Sequence, residues 1–194
     1  MAEALTAEQV LVAAEDVLRR YGPAKATVVD VARELGVSHG TVYRHFPSKA
    51  DLRDAVAERW LKRLSDPLEE VVLARTPAPQ RLRRWVHQLS HAKRAMALDD
   101  PQLFATYHEI ASGSRDVVRS HEATLADQLG RIVADGMARG ELASRLTAAQ
   151  AGQAVFHATA WFLHPAHAGE WGDPDIDVHL DSVCTVLLDG LRAG

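Results

Sequence analysis

Apolar residues recur at intervals of three and four along most of the chain, which is the period of an amphipathic α-helix. The first apolar stripe covers residues 10–21 and stops at Gly22. Thr6 precedes this stripe and Gln9 follows three positions later, which is the capping-box pattern of a helix start. No segment shows the alternation of a β-strand, and there is no internal repeat. The pattern predicts an all-α protein.

Three shorter helices follow in the next part of the chain. The second helix begins at Thr27, with an acid three positions later, and ends at Gly36, a residue suited to the left-handed conformation that closes a helix. A third helix follows a two-residue turn and ends at Phe46. The next residue is a proline, which blocks continuation, and Ser48 caps a fourth helix that reaches about Leu64.

The remainder of the chain has the same helical period, with weaker signals for where helices start and end. Its clearest break lies at residues 76–79, which contain two prolines. Helices are predicted over residues 80–98, from Pro101 onward, over 115–139, from 147 to about 164, and over 178–191. A loop rich in glycine, proline and aspartate at residues 169–174 precedes the final helix.

Charge is distributed unevenly along the chain, although the formal net charge is only −4. Residues 19–63 contain ten Lys and Arg against five Asp and Glu, whereas residues 64–194 carry a net charge of −5. The local charge of +5 in the first segment permits a nucleic-acid partner that the overall charge would argue against. The competing interpretation of this segment is an ordinary solvated surface.

Other features of the composition narrow the class of protein. Cys184 is the single cysteine, which excludes an intrachain disulfide and a zinc site of several cysteines. No apolar run reaches the ~18 residues of a membrane span, and no basic segment precedes an apolar core at the start of the chain. We therefore expect a cytoplasmic protein with no membrane partner.

Residues 27–49 carry the strongest functional pattern. Two short capped helices joined by a glycine-containing turn form a helix-turn-helix arrangement, in which the second helix lies in the major groove of DNA. Val42 and Phe46, four positions apart, must share one buried face. The opposite side of that helix, with Thr41 at its flank, carries His39, Gly40, Tyr43 and Arg44. The competing interpretation is an ordinary helical corner.

Four of these residue types suit the recognition of base edges. His39 and Arg44 can hydrogen-bond to bases, and arginine can bind guanine through two parallel hydrogen bonds. Thr41 can contact a thymine methyl group or a phosphate. Gly40 allows the start of the helix to approach the bases closely, because it carries no side chain.

A second set of residues can fix the helix on the phosphate backbone without reading sequence. The amides at the start of the second helix, at Thr27, favour an anion. Tyr43, His45 and Lys49 can contact phosphate through a hydroxyl, an imidazole and an ammonium group. In the alternative interpretation, Thr27 only caps its helix and Tyr43 only packs.

The run GTVYRHFPSKADL at residues 40–52, preceded by ARELGVS at residues 32–38, resembles the N-terminal signature of the TetR family of bacterial transcriptional regulators. The resemblance covers about residues 6–64. It implies a homodimer that binds a palindromic operator in double-stranded DNA, as a repressor that a small-molecule effector releases. It assigns base contacts and backbone contacts to the same two sets of residues. We expect no cofactor.

Two domains follow from this resemblance. Residues 1–64 are predicted to form an N-terminal three-helix DNA-binding domain with the helix-turn-helix, and residues 65–194 a C-terminal helical domain for effector binding and dimerisation. Candidates for the effector pocket are aromatic, methionine and histidine residues of the middle helices: Trp85, Met96, Phe104, Tyr107, His108, Phe156, His157 and Trp161. These helices show no clear cluster of acids or bases, which favours an uncharged, lipophilic effector.

The resemblance also implies that the last two helices pair with those of a second copy in a four-helix bundle. The residues predicted for this dimer interface are small or apolar and lie at helical spacing: Ala151, Val155, Ala158, Phe162, Leu180, Val183 and Leu187. The alternative is that these residues only pack within one chain.

Two other functions remain open at this point. One is a metal-responsive regulator, because His87 and His91 lie four apart on a helix, although no carboxylate or cysteine completes a local site and none is predicted. The other is a helical enzyme, although the chain has no phosphate-binding loop, no nucleophile elbow and no zinc-protease motif. We predict a regulator that is not an enzyme.

Overall fold

The structure, a computed structural model, describes residues 5–99 and 101–192, without the side chains at 102 and 103. Its α-helices in this part of the chain are α1 (Ala7–Tyr21), α2 (Val28–Glu34), α3 (His39–His45), α4 (Lys49–Ser65), α5 (Glu69–Leu73), α6 (Ala78–Asp99), α7 (Pro101–Gly113), α8 (Arg115–Ala138), α9 (Ala148–Ala158), α10 (Ala160–Leu163) and α11 (Ile176–Gly190). Two short 3₁₀ helices cover Asp66–Leu68 and Pro165–Glu170. The described residues contain no strand, and the all-α prediction is confirmed.

The chain divides into two compact units. The first contains the chain up to Leu61 together with the segment that ends at Arg119, and the second contains Lys62–Asp99 and the chain from Ser120 onward. Helix α7 therefore belongs to the first unit. The functional boundaries predicted from sequence, 1–64 and 65–194, stay a prediction. None of the described helices is long and apolar enough to cross a membrane.

The first unit is built on the apolar side of α1, which contacts α2 and α3. Val10, Val17, Val31 and Val42 are each at most 3% exposed. Helix α7 packs on α1 in the same unit. The Tyr107 ring of α7 stacks on Trp60 of α4 with 4.6 Å between ring centroids. Burial of these apolar groups holds the short helices in place, because helices of seven residues are not stable in isolation.

The core of the second unit contains a hydrogen-bonded chain of polar groups. Trp85 Nε1 of α6 donates to the Gln128 side-chain oxygen of α8 at 3.0 Å. The Gln128 amide nitrogen in turn donates to the backbone oxygen of Ser65 and to Glu69. Both Trp85 and Gln128 are buried. The buried polar atoms of Trp85 and Gln128 in this network thus have partners, which offsets the cost of removing them from water.

Charged residues join α11 to α6. Asp181 of α11 accepts a hydrogen bond from Arg83 at 2.5 Å, and His87 Nε2 lies 2.8 Å from the same carboxylate oxygen. The hydrogen bond from Arg83, and secondly that from His87, hold the pKa of Asp181 below its usual value. One turn closer to the start of α11, Asp177 binds Arg94. These contacts position α11 along α6.

The helix predicted from residue 147 to about 164 is interrupted. Its start is confirmed, because the Thr147 hydroxyl caps α9 through the backbone of Gln150. It breaks at Thr159, whose buried hydroxyl donates to the backbone oxygens of Val155 and Phe156. Back-bonding of this kind bends helices. The chain resumes as α10, only four residues long.

Helices α8 and α9 approach each other through two glycines. A Cβ built on Gly152 would lie 2.3 Å from the backbone nitrogen of Gly130 and 2.6 Å from its Cα. A Cβ on Gly130 would lie 3.3 Å from the Cα of Ala149. The backbones of the two helices are therefore in direct contact, and only glycine fits at position 152.

Replacing Gly152 by Ala should destabilise the protein, because α8 and α9 must separate to admit the methyl group. Overpacking of this kind costs about 1–3 kcal/mol, and urea unfolding monitored by circular dichroism measures the loss. Gly190→Ala is the control, since a Cβ at that position meets nothing within 4 Å. Equal stability of the two variants would contradict the close contact of the helices.

Candidate nucleic-acid interface

The turn between α2 and α3 is set by Gly36. Its φ of 65° lies in the left-handed region that favours glycine. The amide of Gly36 donates to the Arg33 oxygen and the amide of Val37 donates to the Ala32 oxygen, which is the Schellman pattern of a helix end. The predicted role of Gly36 is thereby confirmed. The turn fixes the point at which α3 begins.

Helix α3 is held on one side only. Ser38 caps its start by accepting a hydrogen bond from the Thr41 amide at 3.2 Å. Val42 is completely buried, as predicted, whereas Phe46, the C-cap residue, is only half-buried. The residues on the other side are exposed, and they are His39, Gly40, Tyr43 and Arg44. The outward side of α3 thus matches the side expected from the sequence.

The four residues predicted to contact bases do not share one environment. His39, Gly40 and Arg44 are exposed on α3. Thr41 is half-buried, and its hydroxyl lies 2.9 Å from that of Ser38. The His39 ring meets the Tyr43 ring edge-on, at 6.3 Å between centroids. Three of the four are therefore free to meet a partner, and Thr41 must share its hydroxyl with Ser38. Base contact by these residues stays a prediction.

Gly40 has no role that the chain itself requires. A Cβ at this position would meet only the Ser38 hydroxyl, at 3.7 Å, which is an ordinary contact distance. Gly40 does not have a positive φ. Glycine weakens a helix relative to alanine, and neither crowding nor a positive φ requires it at position 40. Its predicted role in close approach to DNA stays a prediction.

The four residues predicted to contact the DNA backbone lie around the ends of these helices. Thr27 caps α2, and its amide and hydroxyl both bind the Asp30 carboxylate. The Thr27 hydroxyl, as the largest cause, holds the pKa of Asp30 below its usual value. Tyr43 and Lys49 are exposed, and His45 is half-buried. Because Asp30 already occupies the Thr27 donors, a phosphate at this position would compete with a carboxylate.

The basic residues of the first unit fall into two groups. Arg20 forms an ion pair with Glu34, and Arg33 forms one with Asp30. Within residues 5–99 and 101–192, neither Arg44 nor Lys49 forms an ion pair. Arg44 on α3 and Lys49 at the start of α4 are therefore two exposed cations without an ion pair, one on either side of Phe46.

The predicted effector-pocket residues are divided between the two units. The first unit holds Phe104, Tyr107 and His108, and the second holds Trp85, Met96, Phe156, His157 and Trp161. Within the second unit their surroundings differ. Trp85 is buried and bound to Gln128, whereas Trp161 is 50% exposed and stacks on His167 at 4.5 Å between centroids. Their common role in a pocket stays a prediction.

Lys93 is a candidate functional residue that the sequence reasoning missed. It is buried in the second unit, and its ammonium group donates to the Leu163 oxygen at 2.8 Å. The sequence did contain a signal, because Lys93 continues the apolar stripe of α6 four positions after Leu89 and seven after Val86. A lysine on the apolar side of a helix is a residue that the core must accommodate.

The predicted dimer residues are mostly covered by their own chain. The side chains of four are buried, and these are Ala151, Val155, Phe162 and Leu180. Val183 and Leu187 are half-buried, and Ala158 is exposed. The large apolar side chains that α11 exposes are Val178, at 63%, and Val186, at 73%. Dimerisation itself stays a prediction.

The two histidines singled out for metal binding differ in their surroundings, and two further histidines after α10 make contacts of their own. His87 binds Asp181, while His91 is exposed. His164 Nδ1 accepts a hydrogen bond from the Ala166 amide, and His167 stacks on Trp161. Among the residues that the structure describes, no group of three or more His, Cys, Asp or Glu could hold a metal ion.

The fold and the outward side of α3 define a helix-turn-helix DNA-binding protein. Two family models match the chain. The model described as "Bacterial regulatory proteins, tetR family" matches residues 10–56, and the model described as "Tetracyclin repressor-like, C-terminal domain" matches residues 78–184. The second match alone covers more than half of the chain. The chain belongs to the TetR family of bacterial regulatory proteins, as the sequence motif predicted.

One relative is itself a transcriptional repressor, and two solved structures share the fold. The chain is 29% identical over 203 residues to the HTH-type transcriptional repressor BepR of Brucella suis biovar 1 (strain 1330), with 97% of this chain and 92% of BepR covered. A protein of unknown function from Rhodococcus sp. RHA1 has a TM-score of 0.69 at 27% identity, over 98% of this chain and 97% of that one. The transcriptional regulator FadR from Bacillus subtilis, solved with stearoyl-CoA, has a TM-score of 0.66 at 19% identity, over 96% and 100% of the two chains.

The two glycines at the turn and on α3 should respond oppositely to alanine. Gly36→Ala forces a side chain into the left-handed region and should lower stability by about 1–2 kcal/mol. Gly40→Ala removes a flexible residue from a helix and should leave stability unchanged or raise it by up to about 1 kcal/mol. Thermal and urea unfolding measure both. A loss of stability in Gly40→Ala as large as in Gly36→Ala would show that α3 is packed differently.

Proposed function

We propose that the protein is a repressor that binds a palindromic operator in double-stranded DNA as a homodimer, in the cytoplasm, and is released by a small lipophilic effector. The observation that carries this proposal is the outward side of α3, with unpaired Arg44 and a glycine that the fold does not need. The similarity to BepR, which is a transcriptional repressor, supports the direction of regulation.

Helix α3 is the element that enters the major groove in this proposal. Two copies lie about 34 Å apart, one turn of DNA, and enter successive grooves. His39 and Arg44 read base edges, Gly40 permits close approach, and Thr41 lies at the flank. Tyr43, His45, Lys49 and Thr27 position the helix on the phosphates. Of the backbone set, Lys49 carries the largest electrostatic share, because it is exposed and unpaired.

The second unit supplies the dimer interface. Val178 and Val186 lie eight positions apart on α11, which places them within one broad stripe of the helix surface. Ala158 is exposed on α9, and Val155 of α9 lines a small cavity together with Leu187 of α11. We infer that a second copy covers the outward sides of α9 and α11, and that Val155, Phe162 and Leu180 support this surface from beneath.

Release by an effector needs a connection between the two predicted domains. Helices α4 and α8 each begin in the first unit and end in the second. An effector that favours one position of α4 changes the spacing of the two α3 helices. Coupling of about 1–3 kcal/mol would lower operator affinity 5–150-fold. FadR from Bacillus subtilis, which shares the fold, was solved with stearoyl-CoA, a ligand with a long apolar chain.

The test is to select operator sequences from random DNA with the purified protein. Two variants then distinguish residues that contact bases from residues that contact phosphates. Arg44→Ala should weaken binding to the preferred operator by about 1–3 kcal/mol and relax the sequence preference at one base position. Lys49→Ala should weaken binding to all DNA sequences alike and reduce the slope of log affinity against log salt by about 0.9. Fluorescence anisotropy at matched salt measures both.

The control for these variants is Arg145→Ala, which removes an exposed arginine from the connection between α8 and α9. It should bind DNA like the unaltered protein. If the protein selects no sequence, or if all three variants bind alike, the assignment of α3 to DNA is wrong.

Val186→Glu should convert the dimer to a monomer. Two buried glutamates would face each other across the interface without partners, whereas in a single chain the residue is 73% exposed and the change is tolerated. Light scattering after size exclusion measures the mass. Leu73→Glu, at another apolar residue that is 72% exposed, is the control and should remain dimeric. A dimeric Val186→Glu, or a monomeric parent protein, would exclude this surface.

A further inference from the structure

A positive charge is buried in the second unit on the apolar side of α6. Lys93 is covered by its surroundings, and its ammonium group has one acceptor among the described residues, the backbone oxygen of Leu163 at 2.8 Å. Burial lowers the pKa of Lys93 to about 8. The side chain is therefore mostly protonated at neutral pH, and two of its three hydrogens have no acceptor among the described residues.

Two further polar groups without partners accompany this charge. Ser90 lies one turn before Lys93 on α6 and is 0% exposed, yet its hydroxyl makes no hydrogen bond among the described residues. His121 of α8 has a buried Nε2, also without a partner there. Burial, and secondly the charge of Lys93, lower the pKa of His121 to about 3. The imidazole is therefore neutral, and Nε2 is a donor in the tautomer that carries the proton at that nitrogen.

The local charge balance is incomplete. Glu122 of α8 is the acid that raises the pKa of Lys93, but the two residues form no ion pair within 4 Å. Leu89, one turn before Lys93 on α6, and Leu163, whose backbone oxygen accepts from Lys93, are buried apolar residues. A buried ammonium group without a close counter-charge is costly to the fold. An external anion would lower this cost.

We propose that Lys93, Ser90 and His121 form the subsite for the carboxylate of an effector that has one negative charge and an apolar body. A carboxylate accepts several hydrogen bonds at once, which matches the donors that these three residues leave unused. A single negative charge matches the single buried cation. Met96, one turn beyond Lys93 and half-buried, provides flexible apolar surface beside it.

This proposal rests on the proposed function, because it gives the chemical class of the effector. It departs from the uncharged effector expected from the sequence, since only the structure shows that Lys93 is buried. The competing interpretation is that Lys93 only caps the end of α10 through the Leu163 oxygen. That interpretation gives no role to the unpartnered hydroxyl of Ser90 or to Nε2 of His121.

Calorimetry with matched pairs of probes tests the subsite in the full-length protein. The pairs are octanoate with 1-octanol and 2-naphthoate with 2-naphthalenemethanol, so that each pair differs mainly in the charged group. At least one carboxylate should bind about tenfold or more tighter than its alcohol. Lys93→Met should abolish this difference while leaving binding of the alcohol unchanged. Ser90→Ala should reduce the difference about threefold or more.

Two controls keep the outcome decisive. Lys93→Arg retains the charge and should retain a preference for the carboxylate, so it serves if Lys93→Met does not fold. Arg84→Met removes an exposed charge from the same helix and should bind like the parent protein. If no carboxylate binds at up to about 1 mM, or if Lys93→Met keeps the preference, the subsite does not exist.

Operator binding measured in the same preparations separates this proposal from the proposed function. Carboxylate binding that depends on Lys93, in a protein that ignores DNA, would support the subsite and overturn the regulator. Operator binding that is released by an alcohol and not by any carboxylate would support the regulator and overturn the subsite.

Discussion

The complete burial of Val42 is the contact on which the outward side of α3 depends. Helix α3 has seven residues, which is too short for stability in isolation, so it keeps its conformation through packing on α1 and α2. The left-handed turn at Gly36 and the cap at Ser38 determine where it begins. Because one side is held in this way, the other side remains free, with Arg44 unpaired. The contacts with DNA proposed for α3 follow from this arrangement.

Local sequence signals predicted the helix boundaries well, because short stretches of sequence determine where helices start and end. The capping residues Thr6, Thr27 and Thr147 and the turn at Gly36 lie where the sequence placed them. The interruption at Thr159 escaped prediction, since its cause is a single hydroxyl that binds backbone oxygens within the same turn. The sequence alone does not show which group a threonine hydroxyl will hydrogen-bond to.

The sequence predicted the exposed side of α3 more completely than the candidate residues of the second unit. The exposed side of α3 followed from the spacing of Val42 and Phe46, which concerns one helix only. The coverage of Val155 and Leu180 by their own chain, and the burial of Lys93, depend on which helices of the second unit pack together. Periodicity identifies an apolar side but does not identify the neighbour that covers it. For this reason the sequence predicted the exposed side of α3 more sharply than the surroundings of the effector-pocket candidates.

The contact of Gly130 with Gly152 has a mechanical consequence for the regulator. Most helix pairs slide by changing the rotamers of the side chains between them, but at this point no side chain lies between the two backbones. Neither helix can approach further, and separating them would expose peptide groups that are now covered. A displacement of α9 toward α8 at this crossing would therefore move α8 as well, because no side chain lies between the two backbones to absorb it.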